Sequence, residues 1–148
     1  MIKKSQRLQV VVELYSRQEQ EALLALGRSQ QKYQDLQTQL EQLQRYRQEY
    51  QTNFTQQQNT GMSIGKLLEF RAFADKLDKA LSGQQTALSL QEQEVIRVRQ
   101  DWQGCHQRTK SLQKVCELAL AEEMRAENRR EQREQDERAT RSVRKDGI

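Results

Sequence analysis

TQQQNTGMSIGK, residues 55–66, holds Asn59, Thr60, Gly61 and Gly65, and nowhere else in the chain do two glycines sit so close to turn formers. On either side lie long segments without Pro, whose apolar residues recur at steps of three and four. Ser63 is placed to cap whatever helix follows, by accepting from a free backbone N–H in its first turn. A short connection between two long helices makes them antiparallel neighbours. The reading is therefore all-α: two long helices forming an antiparallel coiled-coil hairpin. Its expected bounds are about 5–56 for helix one, 57–63 for the hinge and 64–140 for helix two, with a frayed end over 141–148. All 148 residues belong to a single hairpin.

Composition supports helices and argues against a globule. The chain is 34% hydrophobic, 31% charged and 5% aromatic, with no Pro and six Gly. A compact domain of this length carries roughly half its residues as apolar ones. Disorder is the other reading of such a composition, but it comes without hydrophobic periodicity. Here Gln, Glu, Arg, Lys, Leu and Ala dominate, and these lose least on entering a helix.

Helix one spaces Leu8, Val11, Tyr15, Gln18, Ala22 and Leu26, then Ser29, Tyr33, Leu36, Leu40, Leu43, Arg47, Tyr50 and Phe54. From Gln18 to Ala22 to Leu26 the step is four twice running, which reads as a stutter that locally unwinds a left-handed supercoil. Helix two holds an unbroken heptad: Ala74, Leu77, Leu81, Gln84, Leu88, Gln91, Val95, Val98, Trp102, Cys105, Thr109, Leu112, Cys116 and Ala119. Folding about the hinge sets residue 54 near 67 and residue 8 near 113. Residues beyond about 120 then form an overhanging, charged C-terminal helix end without a partner in the hairpin. Glu134 with Arg138 and Glu137 with Arg141 stand four apart in the favourable order, each pair worth about 0.2–0.5 kcal/mol.

Several function classes fall away. From residue 121 onward there are eight basic and eight acidic side chains, so the tail is no counterion-releasing nucleic-acid arm, despite Arg129, Arg130, Arg133, Arg141, Arg144 and Lys145. No stretch approaches the ~20 apolar residues that span a bilayer. The opening MIKKSQRLQVVVELY lacks the form of a signal peptide. A cytoplasmic location is expected, with Cys105 and Cys116 as reduced thiols that behave as small hydrophobes on the seam. His106 is the one histidine, and it points about 100° away from its neighbour Cys105, so no dyad forms. Two cysteines eleven apart and one histidine do not make a zinc site. No catalytic residue, cofactor or metal is expected, and the protein reads as no enzyme. Trp102 reads as a core anchor.

What remains is a widened apolar stripe near the hinge. On helix one Gln39, Leu43, Tyr46 and Tyr50 step four, three, four; on helix two Phe73, Leu77, Ala80 and Gln84 do the same. Antiparallel pairing sets both at one height. Either Tyr46 and Phe73 merely lie over the seam, or the two sets form a partner-binding patch.

The run LQRYRQEYQTNF at 43–54, the glycine-containing hinge, FRAFADKLDKALSGQ at 70–84, Trp102 in mid-helix and ALAEEMRAENRREQ at 119–132 together resemble the flagellar FliJ family. The resemblance implies a non-catalytic component of the flagellar type III protein export apparatus, and so a protein of flagellum biogenesis, protein transport, motility and chemotaxis. It implies an antiparallel coiled coil similar to the central stalk of rotary ATPases, linking the hexameric FliI-type export ATPase to the export-gate protein FlhA and interacting with export chaperones. It also implies a chaperone-like cytoplasmic protein, peripheral to the inner membrane at the flagellar base through the gate alone. The gate-binding surface carries over onto Gln39, Leu43, Tyr46, Tyr50, Phe73, Leu77, Ala80 and Gln84, where Gln84 departs from relatives with histidine. By analogy with the stalk, the ATPase ring would meet Leu8, Val12, Tyr15, Met124, Arg125 and Arg129. A monomer is expected in isolation. The alternative is a generic cytoplasmic coiled-coil scaffold that dimerises through its seam and buries Tyr46 and Phe73 between hairpins.

Overall fold

A computed structural model describes residues 2–146. It holds two helices, α1 (Lys4–Thr60) and α2 (Ile64–Asp146), of 57 and 83 residues. The fold is an all-α helical hairpin. Three residues turn the chain. Gly61 takes φ +94°, a left-handed conformation that costs glycine nothing, and its N–H donates to the Gln58 carbonyl at 3.3 Å. Ser63 then caps α2 as its position suggests: Lys66 N–H donates to Ser63 Oγ at 3.3 Å. The connection is tighter than the expected 57–63 because α1 keeps its helical bonds to Thr60, whose hydroxyl donates to the Gln57 carbonyl at 2.9 Å. At the far end the backbone of α2 is helical to Asp146, beyond the expected boundary at 140; residues 147 and 148 of the expected frayed end lie outside the described residues.

The chain divides into two compact units. One comprises residues 21–102, both helices and the turn; its buried side chains are Leu26, Leu40, Leu77, Leu81, Gln91 and Val98. The other joins residues 1–20 to 103–148, and buries Ser5, Val12, Thr109 and Ala119. No large side chain among the described residues is fully enclosed. Two helices meeting along one seam leave the back of every core residue open to water, which explains why an apolar fraction so low suffices.

The heptad expected of α2 holds at every position: from Ala74 to Ala119 each seam residue is buried or half-buried, including Trp102, Cys105 and Cys116. Helix α1 corrects the expected stutter. Its inward positions run Ser5, Leu8, Val12, Tyr15, Glu19, Ala22, Leu26, Ser29, Tyr33, alternating three and four throughout. Val12, 5% exposed, replaces Val11, and half-buried Glu19 replaces exposed Gln18. A carboxylate is an unlikely seam residue by hydrophobicity alone, but this one meets Nδ1 of His106 at 2.5 Å. Arg47, read as a seam residue, instead lies outside it and pairs with Asp78 at 2.7 Å.

Cross-helix partners have midpoints between residues 60 and 64, on average at Met62: Phe54 with Phe70, Arg47 with Asp78, Gln39 with Gln84, Ser29 with Gln91, Glu19 with His106 and Ser5 with Glu123. That centre lies past the middle of the expected hinge, because the turn falls at Gly61–Ser63 rather than around Thr60. All of these partners except Gln91, which faces Ser29 one residue short of expectation, sit further along α2 than expected, and pairing reaches Glu123 instead of ending near 120. Every described residue from Met124 onward is exposed. In this tail Glu127 pairs with Arg130 at 2.7 Å, rather than Glu134 with Arg138 or Glu137 with Arg141.

Candidate partner-binding surfaces

Five aromatic rings gather beside the turn in the 21–102 unit. Phe70 stacks on Phe54 with centroids 3.6 Å apart and on Tyr50 at 4.5 Å, the latter pair within 3° of parallel. Phe73 packs tilted on Tyr50 at 4.7 Å and receives Tyr46 edge-on at 6.3 Å, and Tyr46 also stacks on Tyr50 at 6.5 Å. The Tyr50–Phe70 stack and the edge-on Tyr46–Phe73 pair are of the kinds that the ring quadrupole favours, whereas Phe54 and Phe70 lie almost directly face to face. The cluster grades from inside to outside. Phe54, Phe70, Tyr50 and Phe73 are half-buried, whereas Tyr46 is 48% exposed.

The two expected stripes do meet on one flank. Gln84 Nε2 donates to Gln39 Oε1 at 3.1 Å, Tyr46 touches Phe73, and Leu43 and Leu77 lie between. Ala80 is exposed, as is Tyr46. Leu77, however, is 6% exposed and belongs to the core. It can support the patch without being touched by a visitor. Phe70 is the member that sequence reasoning missed; the signal was available, since four residues back from Ala74 continues the heptad of helix two to position 70.

In the other unit the expected ring-facing residues separate. Met124, Arg125 and Arg129 are exposed and Leu8 and Tyr15 half-buried, but Val12 is core. Large exposed hydrophobics that the sequence reading passed over accompany them: Val10 and Leu14 on α1, Val115, Leu118 and Leu120 on α2. They do not share one face, since Val115 directly before Cys116 and Leu120 directly after Ala119 fall on opposite flanks of the α2 seam.

Polar side chains hold this unit's seam. Ser5 N–H and O–H donate to the two carboxylate oxygens of Glu123, at 3.0 and 2.6 Å. These bonds hold Glu123 below the usual carboxylate range. Glu19 is likewise lowered, first by its hydrogen bond with His106, then by that with Thr109 and the charges of His106 and Lys110, against the opposing effect of burial. His106 therefore faces Glu19, not Cys105, whose Sγ is 3.8 Å from an Arg108 nitrogen. Cys116 Sγ donates to the Ser5 carbonyl at 3.5 Å. Among the described residues no group of three or more His, Cys, Asp or Glu is placed to hold a metal ion. Nor is any helix among them long and apolar enough to cross a membrane.

The family model of the flagellar FliJ protein matches residues 4–147. The chain belongs to the FliJ family. It is 26% identical over 136 residues to the flagellar FliJ protein of Salmonella typhi, covering 92% of both chains, and as similar to that of Escherichia coli (strain K12) over the same share. No solved structure matches. Membership in the FliJ family makes this a flagellar protein, and the match runs through both units, including the aromatic cluster and the aliphatic region.

Proposed function

We propose that this protein is a non-catalytic component of the flagellar type III protein export apparatus, a coiled coil that links the export ATPase to the gate protein FlhA and serves export chaperones. It works at the cytoplasmic side of the inner membrane, held there through the gate. The observation that carries the reading is a family match over nearly the whole chain combined with Tyr46, an aromatic residue left half in water on a packed aromatic base. Tyrosine in that setting is a favoured anchor for a partner: it offers a large rigid surface at small entropic cost and a hydroxyl for one hydrogen bond.

FlhA meets Gln39, Leu43, Tyr46, Tyr50, Phe73, Ala80 and Gln84, with Leu77 holding the rings from below. The ATPase meets the aliphatic region of the other unit, with Met124, Arg125 and Arg129 beside Leu8 and Tyr15. The link depends on helices whose seams resist sliding, and the polar pairs help: Gln91 Nε2 donates to both the carbonyl and the hydroxyl of Ser29, each at 3.0 Å. A slip of one heptad would leave these buried groups unpaired, at a cost of about 1–3 kcal/mol each.

Pull-downs with the purified chain against the cytoplasmic portion of FlhA and against the export ATPase test the reading. Both are expected to be retained. Retention of neither would sink it, and retention of FlhA after Tyr46→Ala with unchanged affinity would move the gate contact elsewhere.

A further inference from the structure

The flank of the 21–102 unit opposite Tyr46 has a chemistry of its own. Gln39 and Tyr46 stand seven apart on one side of α1, and Phe73, Ala80 and Ala87 at steps of seven on the matching side of α2. The other side carries Gln30, Gln37, Gln44 and Gln51 on α1 and Asp78, Gln85, Glu92 and Arg99 on α2, again at steps of seven. The Arg47–Asp78 ion pair marks this second flank. In its middle Gln30, Tyr33, Gln34, Gln37, Glu92, Val95, Ile96 and Arg99 line one groove between the helices.

Ile96 is the exception in that groove. Flanking positions of a coiled coil ordinarily hold charged or amide side chains, yet Ile96 is a β-branched aliphatic left 49% exposed, beside half-buried Val95 and Tyr33. One turn to either side of it stand an acid, Glu92, and a base, Arg99. Neither forms a hydrogen bond or ion pair, whereas Glu94, Arg97 and Asp101 on the same helix are linked, Arg97 meeting them at 2.5 and 3.1 Å. Glu92 and Arg99 are separated by two turns, about 10 Å along the axis, so they do not satisfy each other.

We propose that this groove receives a second copy of the chain, with the two α2 helices antiparallel about a two-fold axis at Ile96. The charge pattern selects this occupant. A two-fold axis there sets Ile96 against Ile96 and brings Glu92 of each copy to Arg99 of the other, so one apolar contact is bracketed by two reciprocal ion pairs. An isologous interface needs this self-complementarity. The glutamines of α1 supply amides to the rim. The aliphatic area is small, and the ion pairs are at the surface, so the association is weak and reversible. Tyr46 and Phe73 stay free on the opposite flank, which separates this contact from a scaffold dimer that would bury them.

Sedimentation equilibrium of the full-length chain at rising concentration, at low and high salt, tests the proposal with a charge-swap cycle. Glu92→Arg and Arg99→Glu are each expected to lower the association constant about tenfold, and the double variant is expected to recover most of it. Because the two positions lie two turns apart on one helix, recovery has to come from between copies. Ile96→Glu is expected to abolish the dimer, and circular dichroism verifies that helix content is kept. A chain that stays monomeric at every concentration overturns the proposal. So does a dimer that ignores the swaps, one whose double variant is as weak as the singles, or one that is lost in Tyr46→Ala instead.

Discussion

Tyr50 and Phe70 face each other across the hairpin, ring planes 3° apart and centroids 4.5 Å apart, and Phe70 lies between Tyr50 and Phe54. The base of the candidate gate surface is thus a stack that ties α1 to α2 just beyond the turn. Phe70→Ala removes the shared member of two stacks. It is expected to cost about 3 kcal/mol or more in chemical denaturation, in the range for large aromatic truncations. A loss below about 1 kcal/mol would show that the stack is not a stability element.

The carboxylates of the other unit predict an acid response. Glu19 and Glu123 both have folded-state pKa values depressed below the ordinary carboxylate value, by His106 and by Ser5 respectively. The unfolded chain then binds protons more readily than the folded one as pH falls. Their stabilisation is present above about pH 4.5, the unfolded value, and disappears as pH drops through the folded values. The melting temperature is expected to hold from pH 7 to 5 and fall below pH 4.5, and Glu19→Gln is expected to flatten part of that fall. An identical acid profile in the variant would remove Glu19 from the account.

Much of this was legible beforehand, for a physical reason. A heptad is a statement about one helix, so the seam of α2, from Ala74 to Ala119, could be read directly, and so could the turn, where Gly61 and Ser63 act locally. The seam of α1 near residue 19 could not. There the inward residue is a carboxylate, tolerated through its bond to His106, 87 residues away; a rule that seeks apolar residues steps to Gln18 and infers a stutter. Register was displaced for a related reason, since it depends on which residues of the hinge turn. The flank with Tyr46 and Phe73 is visible as a widened stripe, whereas Phe70 stands at the hinge end of helix two, where no earlier heptad position marks it as part of the repeat. The reach of pairing to Glu123 rests on a serine, Ser5, that no hydrophobic pattern marks.

Two truncations follow from that reach. Ending the chain after Met124 removes no described residue that is buried and keeps Ser5–Glu123, so the melting temperature should move by no more than a few degrees. Ending it after Leu120 also removes Glu123, leaving the Ser5 N–H and O–H without that acceptor, and should lower the melting temperature further. Binding to the export ATPase should weaken in both. A large fall in the longer truncation would mean that the tail contributes to the fold.

The gate surface is tested by separating binding from stability. Tyr46 is half in water and its ring contacts with Tyr50 and Phe73 are the long ones of the cluster, at 6.5 and 6.3 Å between centroids, so Tyr46→Ala should cost about 1 kcal/mol or less in stability. Phe73→Ala should cost more, since Phe73 packs between Tyr46 and Tyr50. Leu81→Ala is the control, a buried seam leucine whose loss should cost about 2 kcal/mol or more. Affinity for the cytoplasmic portion of FlhA should respond in the opposite order. An interface aromatic of hot-spot quality contributes about 2 kcal/mol, so Tyr46→Ala should weaken binding about thirtyfold, whereas Leu81→Ala should bind normally whenever it is folded. Calorimetry of each variant, corrected for its folded fraction, reads both quantities. If Tyr46→Ala unfolds as readily as Leu81→Ala and its folded fraction binds FlhA with full affinity, Tyr46 belongs to the core and the gate contact lies elsewhere on the hairpin.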